Sequence, residues 1–154
     1  VSVVKNKSMD SIVQNFLDEG NETTIQLHGD EDIHYCQNLK QKIPNLNLWK
    51  AFRIKNANDI YKIKPYENFI NAILLDSWSN ETYGGSGKRI EQKYLEDISF
   101  SKPWWLAGGV STEWIEEILN EIKPNGIDIS SSIETAPGIK DLEKTKQIIK
   151  EIKK

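Results

Sequence analysis

The chain repeats one pattern six times, and this repetition limits its fold more than any single motif does. A short run rich in β-branched or aromatic residues comes first, and a longer amphipathic run comes after it. "VSVV" precedes "SMDSIVQNFLDEG", "TTIQLHG" precedes "DEDIHYCQNLKQKI", and "LNLWKAFRI" precedes "NANDIYKIKPYENF". "NAILLDS" leads through a glycine-rich stretch to "EQKYLEDISF", and "PWWLAGGV" precedes "STEWIEEILNEIKPNG". "GIDISSSIE" precedes "IKDLEKTKQIIKEIKK", where Pro137-Gly138 predicts a short first helix. Units of about 25 residues that alternate strand and helix specify a parallel sheet covered by helices. Local signals agree. Ser8 and Ser111 stand where N-caps belong, and Asp30, Glu31 and Asp32 are expected in the first turn of their helix, where the dipole favours acids.

Two architectures satisfy this pattern, an open doubly wound sheet and a (β/α)8 barrel. Alternate residues of a strand share a face. Ile25 and Leu27 then face helices, with Gln26 and His28 opposite; Ile73 and Leu75 face helices, with Asp76 opposite. Ile127 and Ile129 pair in the same way against Asp128 and Ser130. Open parallel sheets tend to be apolar on both faces. Polar residues gathered on one face near strand C-termini fit the inside top of a barrel, where barrel enzymes keep their active sites.

Composition narrows the function classes. A chain of 154 residues with 38% hydrophobic and 28% charged residues suits one globular domain. A net charge of −3 without a basic tract speaks against a nucleic-acid footprint. No run approaches the roughly 18 apolar residues of a membrane span. Two histidines, a single cysteine and no CxxC speak against a zinc site and exclude an internal disulfide. Val1 rather than methionine opens the sequence, which leaves upstream segments, a targeting peptide among them, open.

The stretch "ETYGGSGKRI" invites a P-loop reading and fails it. Gly87-Lys88 is followed by Arg89 in place of a hydroxyl residue, and Thr82 stands where the first glycine belongs. The better phosphate candidate is "LAGGVSTEW", in which Gly108-Gly109 admits a ligand to the backbone just before a helix start; "DISSSIE" adds Ser130, Ser131 and Ser132 after the last strand. Asp76 ends a strand before a long loop and is placed like a catalytic acid or base; the plainer role is a strand-end salt bridge. His28 is similar: it is placed like a catalyst, and the plainer role is a hydrogen-bonded structural residue. Lys50, inside "LWKAF", needs a buried partner, and Asp128 is the expected one. Cys36 falls on a helix among packing residues and reads as an inert thiol. The tryptophans read as core.

Taken in order, "IQLHGDE", "ILLDS", "YGGSGK", "LAGGV", "IDISSSIE" and "APGIKD" resemble the phosphoribosylanthranilate isomerase family along essentially the whole chain. The resemblance implies an α/β fold, a (β/α)8 TIM barrel of the phosphate-binding type, in which residues 1–154 form a single incomplete barrel domain: strands 3 to 8 are present and the first two βα units are absent. It implies an Amadori rearrangement in tryptophan biosynthesis, in the cytoplasm, on a small phosphorylated substrate, with no metal or cofactor. It places the general acid at Asp76 and the phosphate cradle at Gly108, Gly109, Ser130 and Ser131. Gln26, His28 and Asp128 match polar positions of its sugar and carboxylate pocket. Tyr83, Gly84, Gly85, Ser86, Gly87 and Lys88 match a mobile lid whose closure shields the acid.

The resemblance also implies a cysteine base on a first strand and a carboxylate-binding arginine after a second, and Cys36 matches neither. The sequence is therefore expected to be N-terminally incomplete and inactive alone, with sequence upstream of Val1 as the check. Ser132 stands where the family usually has glycine, which puts the cradle's geometry in question. A fusion to, or association with, a neighbouring pathway enzyme is a further implication. The alternatives are a non-catalytic phosphate-binding remnant, a half-barrel completed by a partner, or a sister barrel such as indoleglycerol-phosphate synthase. The last predicts a glutamate and lysine set at the strand ends.

Overall fold

The computed structural model describes residues 2–4, 8, 11, 24–77 and 89–153. Six parallel strands form one sheet: β1 Ser2–Val4, β2 Thr24–Leu27, β3 Asn47–Ile54, β4 Ala72–Ser77, β5 Trp104–Leu106 and β6 Gly126–Ile127. Each lies inside one of the apolar runs. Their spatial order is their sequence order, β1-β2-β3-β4-β5-β6. A doubly wound sheet reverses direction at a switch point. Sequential parallel neighbours without reversal are instead the winding of a (β/α)8-type barrel.

Strand parity holds, and it divides the molecule in two. Ile25, Leu27, Leu48, Ile54, Ile73, Leu75, Trp104 and Leu106 are buried in the main core, under the helices. The alternate positions Ala51, Leu74 and Ala107 form a separate small cluster with Trp105. Trp49 lies beside Trp105 with ring centroids 4.3 Å apart. The Trp105 indole crosses Gly126 so closely that a Cβ there would overlap the ring. Large interior side chains at the level of Gly126 leave the C-terminal ends of the strands to polar groups.

The helices depart further from expectation. α1, Ile33–Lys42, is capped by Asp32, which accepts the Tyr35 amide. Its first turn holds no acid. Asp30 and Glu31 instead pair with β3, at Arg53 and Lys50 respectively. α2, Ala57–Tyr61, opens with a capping box between Asn56 and Asp59. A separate 3-10 turn, Lys64–Asn68, comes next, with Pro65 near its start. The run from 91 to 100 supplies only a 3-10 turn, Gln92–Tyr94.

Ser111 is not the cap of the next helix. A turn intervenes, with the Trp114 amide bonded to the Ser111 carbonyl at 3.1 Å, and α3 begins only at Ile115–Glu117. It runs into a π-turn, Ile118–Ile122, that ends on left-handed Lys123. The last unit is broken as anticipated. After a 3-10 turn at Ser131–Ile133, a hairpin forms from β7, Glu134–Ala136, and β8, Ile139–Lys140. α4, Leu142–Ile152, then starts at Asp141, which caps the Glu143 and Lys144 amides.

Lys50 does not meet Asp128. Residue 50 shares its face with Leu48 and Phe52, toward the helices, whereas Asp128 stands opposite Ile127 and Ile129. The ammonium is buried and donates to Glu31 Oε2 at 3.0 Å, the Gly29 carbonyl at 2.8 Å and the Ala51 carbonyl at 3.2 Å. Glu31 Oε2 also accepts the Gly29 amide at 3.0 Å. The pair thus grips the turn just past His28.

Candidate active site

His28, Asp76 and Asp128 each sit within one residue of a strand end, held in register by the parallel ladder. The His28 amide donates to the Val4 carbonyl at 2.8 Å, the Ala107 amide to the Leu75 carbonyl at 2.7 Å, and the Asp128 amide to the Leu106 carbonyl at 2.8 Å. Asp76 lies within β4, opposite Arg53 in register. These ends open on a cleft of about 340 Å³ that contains His28, Asp76, Gly108, Gly109, Asp128, Ser130 and Ser131. Gln26 sits one step back. It is buried, with its amide nitrogen 3.4 Å from His28 Nδ1, and supports the imidazole instead of lining the cleft. The expected lid residues Tyr83, Gly84, Gly85, Ser86, Gly87 and Lys88 lie outside the described residues.

Asp76 is only 4% exposed. Its Oδ1 accepts the Ser77 amide at 2.8 Å, and its Oδ2 lies 3.2 Å from His28 Nε2. Gly108 packs against the same carboxylate. A Cβ on it would come within 2.6 Å of Asp76 Oδ1, and its φ of +76° is one that side-chain-bearing residues avoid. Glycine here therefore serves the acid as well as any ligand.

Asp128 is a carboxyl whose surroundings disfavour its charge. Burial raises its pKa above the ordinary range, and the neighbouring Asp76 charge adds to this; His28 and Lys140 oppose it. Cys36 is fully buried on α1, and burial pushes its thiol up to about 12. It is a packing residue.

The wall expected to hold phosphate is formed by loops and not by a helix start, because the 112–114 turn separates Gly109 from α3. Ser132 ties the wall together: its hydroxyl donates to the Val110 carbonyl and joins the loops after β5 and β6. A serine at this position thus cross-links the cradle. Two residues escaped sequence reasoning. Glu134 lines the cleft, and Lys140 reaches back to Ser130. Pro137-Gly138 was the available signal, because such a pair between short strands marks a type II turn that folds the chain back on itself. Gly138 has the matching φ of +80°.

The buried ammonium of Lys50 cannot serve this cleft, because its three donors are spent on Glu31, Gly29 and Ala51. Among the described residues, no cluster of three side chains has the makings of a metal site.

Comparison with known proteins agrees with this geometry. Residues 1–151 match the family described as N-(5'phosphoribosyl)anthranilate (PRA) isomerase. The N-(5'-phosphoribosyl)anthranilate isomerase of Acaryochloris marina is 37% identical over 152 residues, which cover 99% of this chain and 70% of the relative. That of Nostoc punctiforme is 38% identical and is covered to 72%. The crystal structure of phosphoribosyl anthranilate isomerase from Thermotoga maritima superposes with a TM-score of 0.80 at 27% identity, covering 98% of this chain and 71% of that one. Strand order, the placement of Asp76 against two glycine- and serine-rich loops, and these matches lead to one conclusion: the chain belongs to the N-(5'-phosphoribosyl)anthranilate isomerase family.

Proposed function

We propose that the protein catalyses the Amadori rearrangement of N-(5'-phosphoribosyl)anthranilate to 1-(2-carboxyphenylamino)-1-deoxyribulose 5-phosphate, a step of tryptophan biosynthesis. The observation that carries this is the position of buried Asp76, held by Ser77, His28 and Gly108, on the cleft wall next to a loop-amide cradle, in a chain of this family. The amides of Gly108, Gly109, Ser130 and Ser131 bind the phosphate, and anchoring it sets the ribose over Asp76.

Asp76 acts as general acid. It gives a proton to the furanose ring oxygen as the bond from that oxygen to C1 breaks, and the chain opens to an imine. Loss of the C2 proton to a base then gives an enolamine, which tautomerises to the ketose. No redox partner is needed, because the oxidation at C2 balances the reduction at C1. His28, itself braced by Gln26, keeps the Asp76 carboxyl turned toward the cleft.

The base and the carboxylate-binding arginine are not assigned to residues of this sequence. Cys36 is unsuited to the base's role, since it is buried on α1 with its thiol pKa pushed up to about 12. Among the described strand ends, the glutamate and lysine set of an indoleglycerol-phosphate synthase finds no counterpart: the Glu31–Lys50 pair is buried on the helix side of the sheet, and Glu134 and Lys140 belong to the hairpin beyond β6. A cytoplasmic location belongs to the same reading and rests on the family.

The test is Asp76→Asn. Turnover of N-(5'-phosphoribosyl)anthranilate should fall about 10²–10⁴-fold in kcat, while affinity for inorganic phosphate stays unchanged. Turnover near the wild-type value removes Asp76 from the role.

A further inference from the structure

The cleft poses an electrostatic problem. Three carboxylates line it, from Asp76, Asp128 and Glu134, and its described lining includes no lysine or arginine. A phosphate dianion brought there faces like charge on several sides. Backbone amides offset part of this through their partial charges, but a full cation close to the cradle would offset far more.

The hairpin brings one. β7 and β8 pair antiparallel with Glu134 opposite Lys140. The Lys140 ammonium donates to the Ser130 carbonyl at 3.1 Å, contacts Ser130 Oγ at 3.3 Å and donates to Glu134 at 2.7 Å. It thus bridges the cradle loop and the carboxylate at the cleft's edge. The hairpin is anchored from both sides: the Asp141 amide bonds the Ile133 carbonyl at 2.7 Å, and Lys144 reaches the Glu134 carbonyl at 3.2 Å.

Resting on the phosphate-binding reading above, we propose that Lys140 is the cation of the phosphate subsite and that Glu134 is the resident anion with which the phosphate competes. In the empty site the Glu134 carboxylate neutralises Lys140 and holds it against Ser130. An arriving dianion takes over the ammonium's attraction, and Glu134 loosens toward solvent. Lys140 thereby selects for a ligand of high negative charge, which an amide cradle alone does not.

Glu134 is well suited to this part. Its hydrogen bond from Lys140, aided by one from the Gly138 amide, holds its pKa below the ordinary carboxylate range, so it is charged at neutral pH. Lys140 is 44% exposed at its side chain, so the pair stands at the surface and not in the core.

The experiment is calorimetric titration of the full chain with inorganic phosphate at two ionic strengths. Lys140→Met should weaken binding about tenfold or more, as loss of a charge-assisted hydrogen bond does, and should flatten its salt dependence. Lys140→Arg should restore most of the affinity. Glu134→Gln should tighten binding severalfold, because it removes the competing charge and keeps a hydrogen-bonding oxygen.

The opposite signs are the decisive readout. A merely structural latch predicts weaker binding from either change, and that result overturns the inference. So does a Lys140→Met affinity within twofold of wild type, with phosphate reading intact. If the wild-type chain itself binds no phosphate, the cradle reading fails and the inference falls with it. Should Lys140→Met not fold, Glu134→Gln alone still decides, since unchanged or weakened binding refutes the competition.

Discussion

Replacing Lys50 by methionine tests the scaffold under the cleft most directly. The ammonium's three donors are all used, on Glu31, the Gly29 carbonyl and the Ala51 carbonyl, and both charged side chains are under 5% exposed. Methionine fills a similar volume but leaves Glu31 buried without its counter-charge. Breaking a buried pair from one side costs about 3–5 kcal/mol, a large share of the roughly 5–15 kcal/mol that holds a typical domain together. Glu31→Leu should cost about as much, for the same reason.

The double variant discriminates further. It removes both charges and leaves only neutral groups unpaired, chiefly the Gly29 and Ala51 carbonyls and the Gly29 amide, at about 1 kcal/mol or somewhat more each. Its cost should therefore fall short of the sum of the single changes by at least about 2 kcal/mol. Urea unfolding of the four proteins gives the cycle. If Lys50→Met lies within about 1 kcal/mol of wild type, or if the two changes add, the pair is no buried lock.

Two other changes probe the cleft itself. Gly108→Ala should destabilise the protein by about 1–2 kcal/mol from its left-handed backbone alone, and more because the new Cβ meets Asp76 Oδ1 and the Ser77 amide; a denaturation midpoint equal to wild type refutes the close packing. Asp128→Asn should alter stability in a pH-dependent way. The folded protein holds this proton above the ordinary value of 3.8, so wild-type stability falls as pH rises from there through the raised folded pKa. The variant lacks that loss and should gain on wild type above the window, with no such gain below it; a pH-independent difference would falsify the assignment.

The strands were legible because period two is a local property. Each β-branched run needed only its own alternation to show which side would be apolar, and Ile25, Leu27, Ile73 and Leu75 are in the helix-covered core as that alternation required. Helix lengths were less legible, since they depend on residues further along the chain. The 56–69 run divides into α2 and a separate 3-10 turn with Pro65 near its start, and the 111–126 run spends its first residues in a turn before α3. The three acids before α1 carried a correct helix-start signal but an incomplete reading. Only Asp32 caps, because Lys50 and Arg53 of β3 claim the other two, and that competition is tertiary.

The Lys50 error and the late appearance of Lys140 have one root. A buried lysine demands a carboxylate, but sequence ranks candidates by chemistry and cannot measure which is near. Parity was the missing constraint for Lys50. It shares a face with Leu48 and Phe52, so its partner had to come from the helix side, where Glu31 stands; Asp128 was on the wrong side of the sheet. For Lys140 the missing constraint was the return of a hairpin, which moves a residue ten positions downstream onto Ser130. The same parity then explains why the fold keeps two charge systems apart. The helix-side pair of Lys50 and Glu31 is buried and mutually paired, and grips the backbone after His28. The cleft-side groups Asp76, Asp128, Glu134 and Lys140 remain near a ligand-sized opening, where their charges can still respond to what enters. The proposed mechanism, which fixes an acid in place and holds a dianion beside it, gains from that separation, because a rigid pair on one face leaves the other free to change its electrostatics on binding.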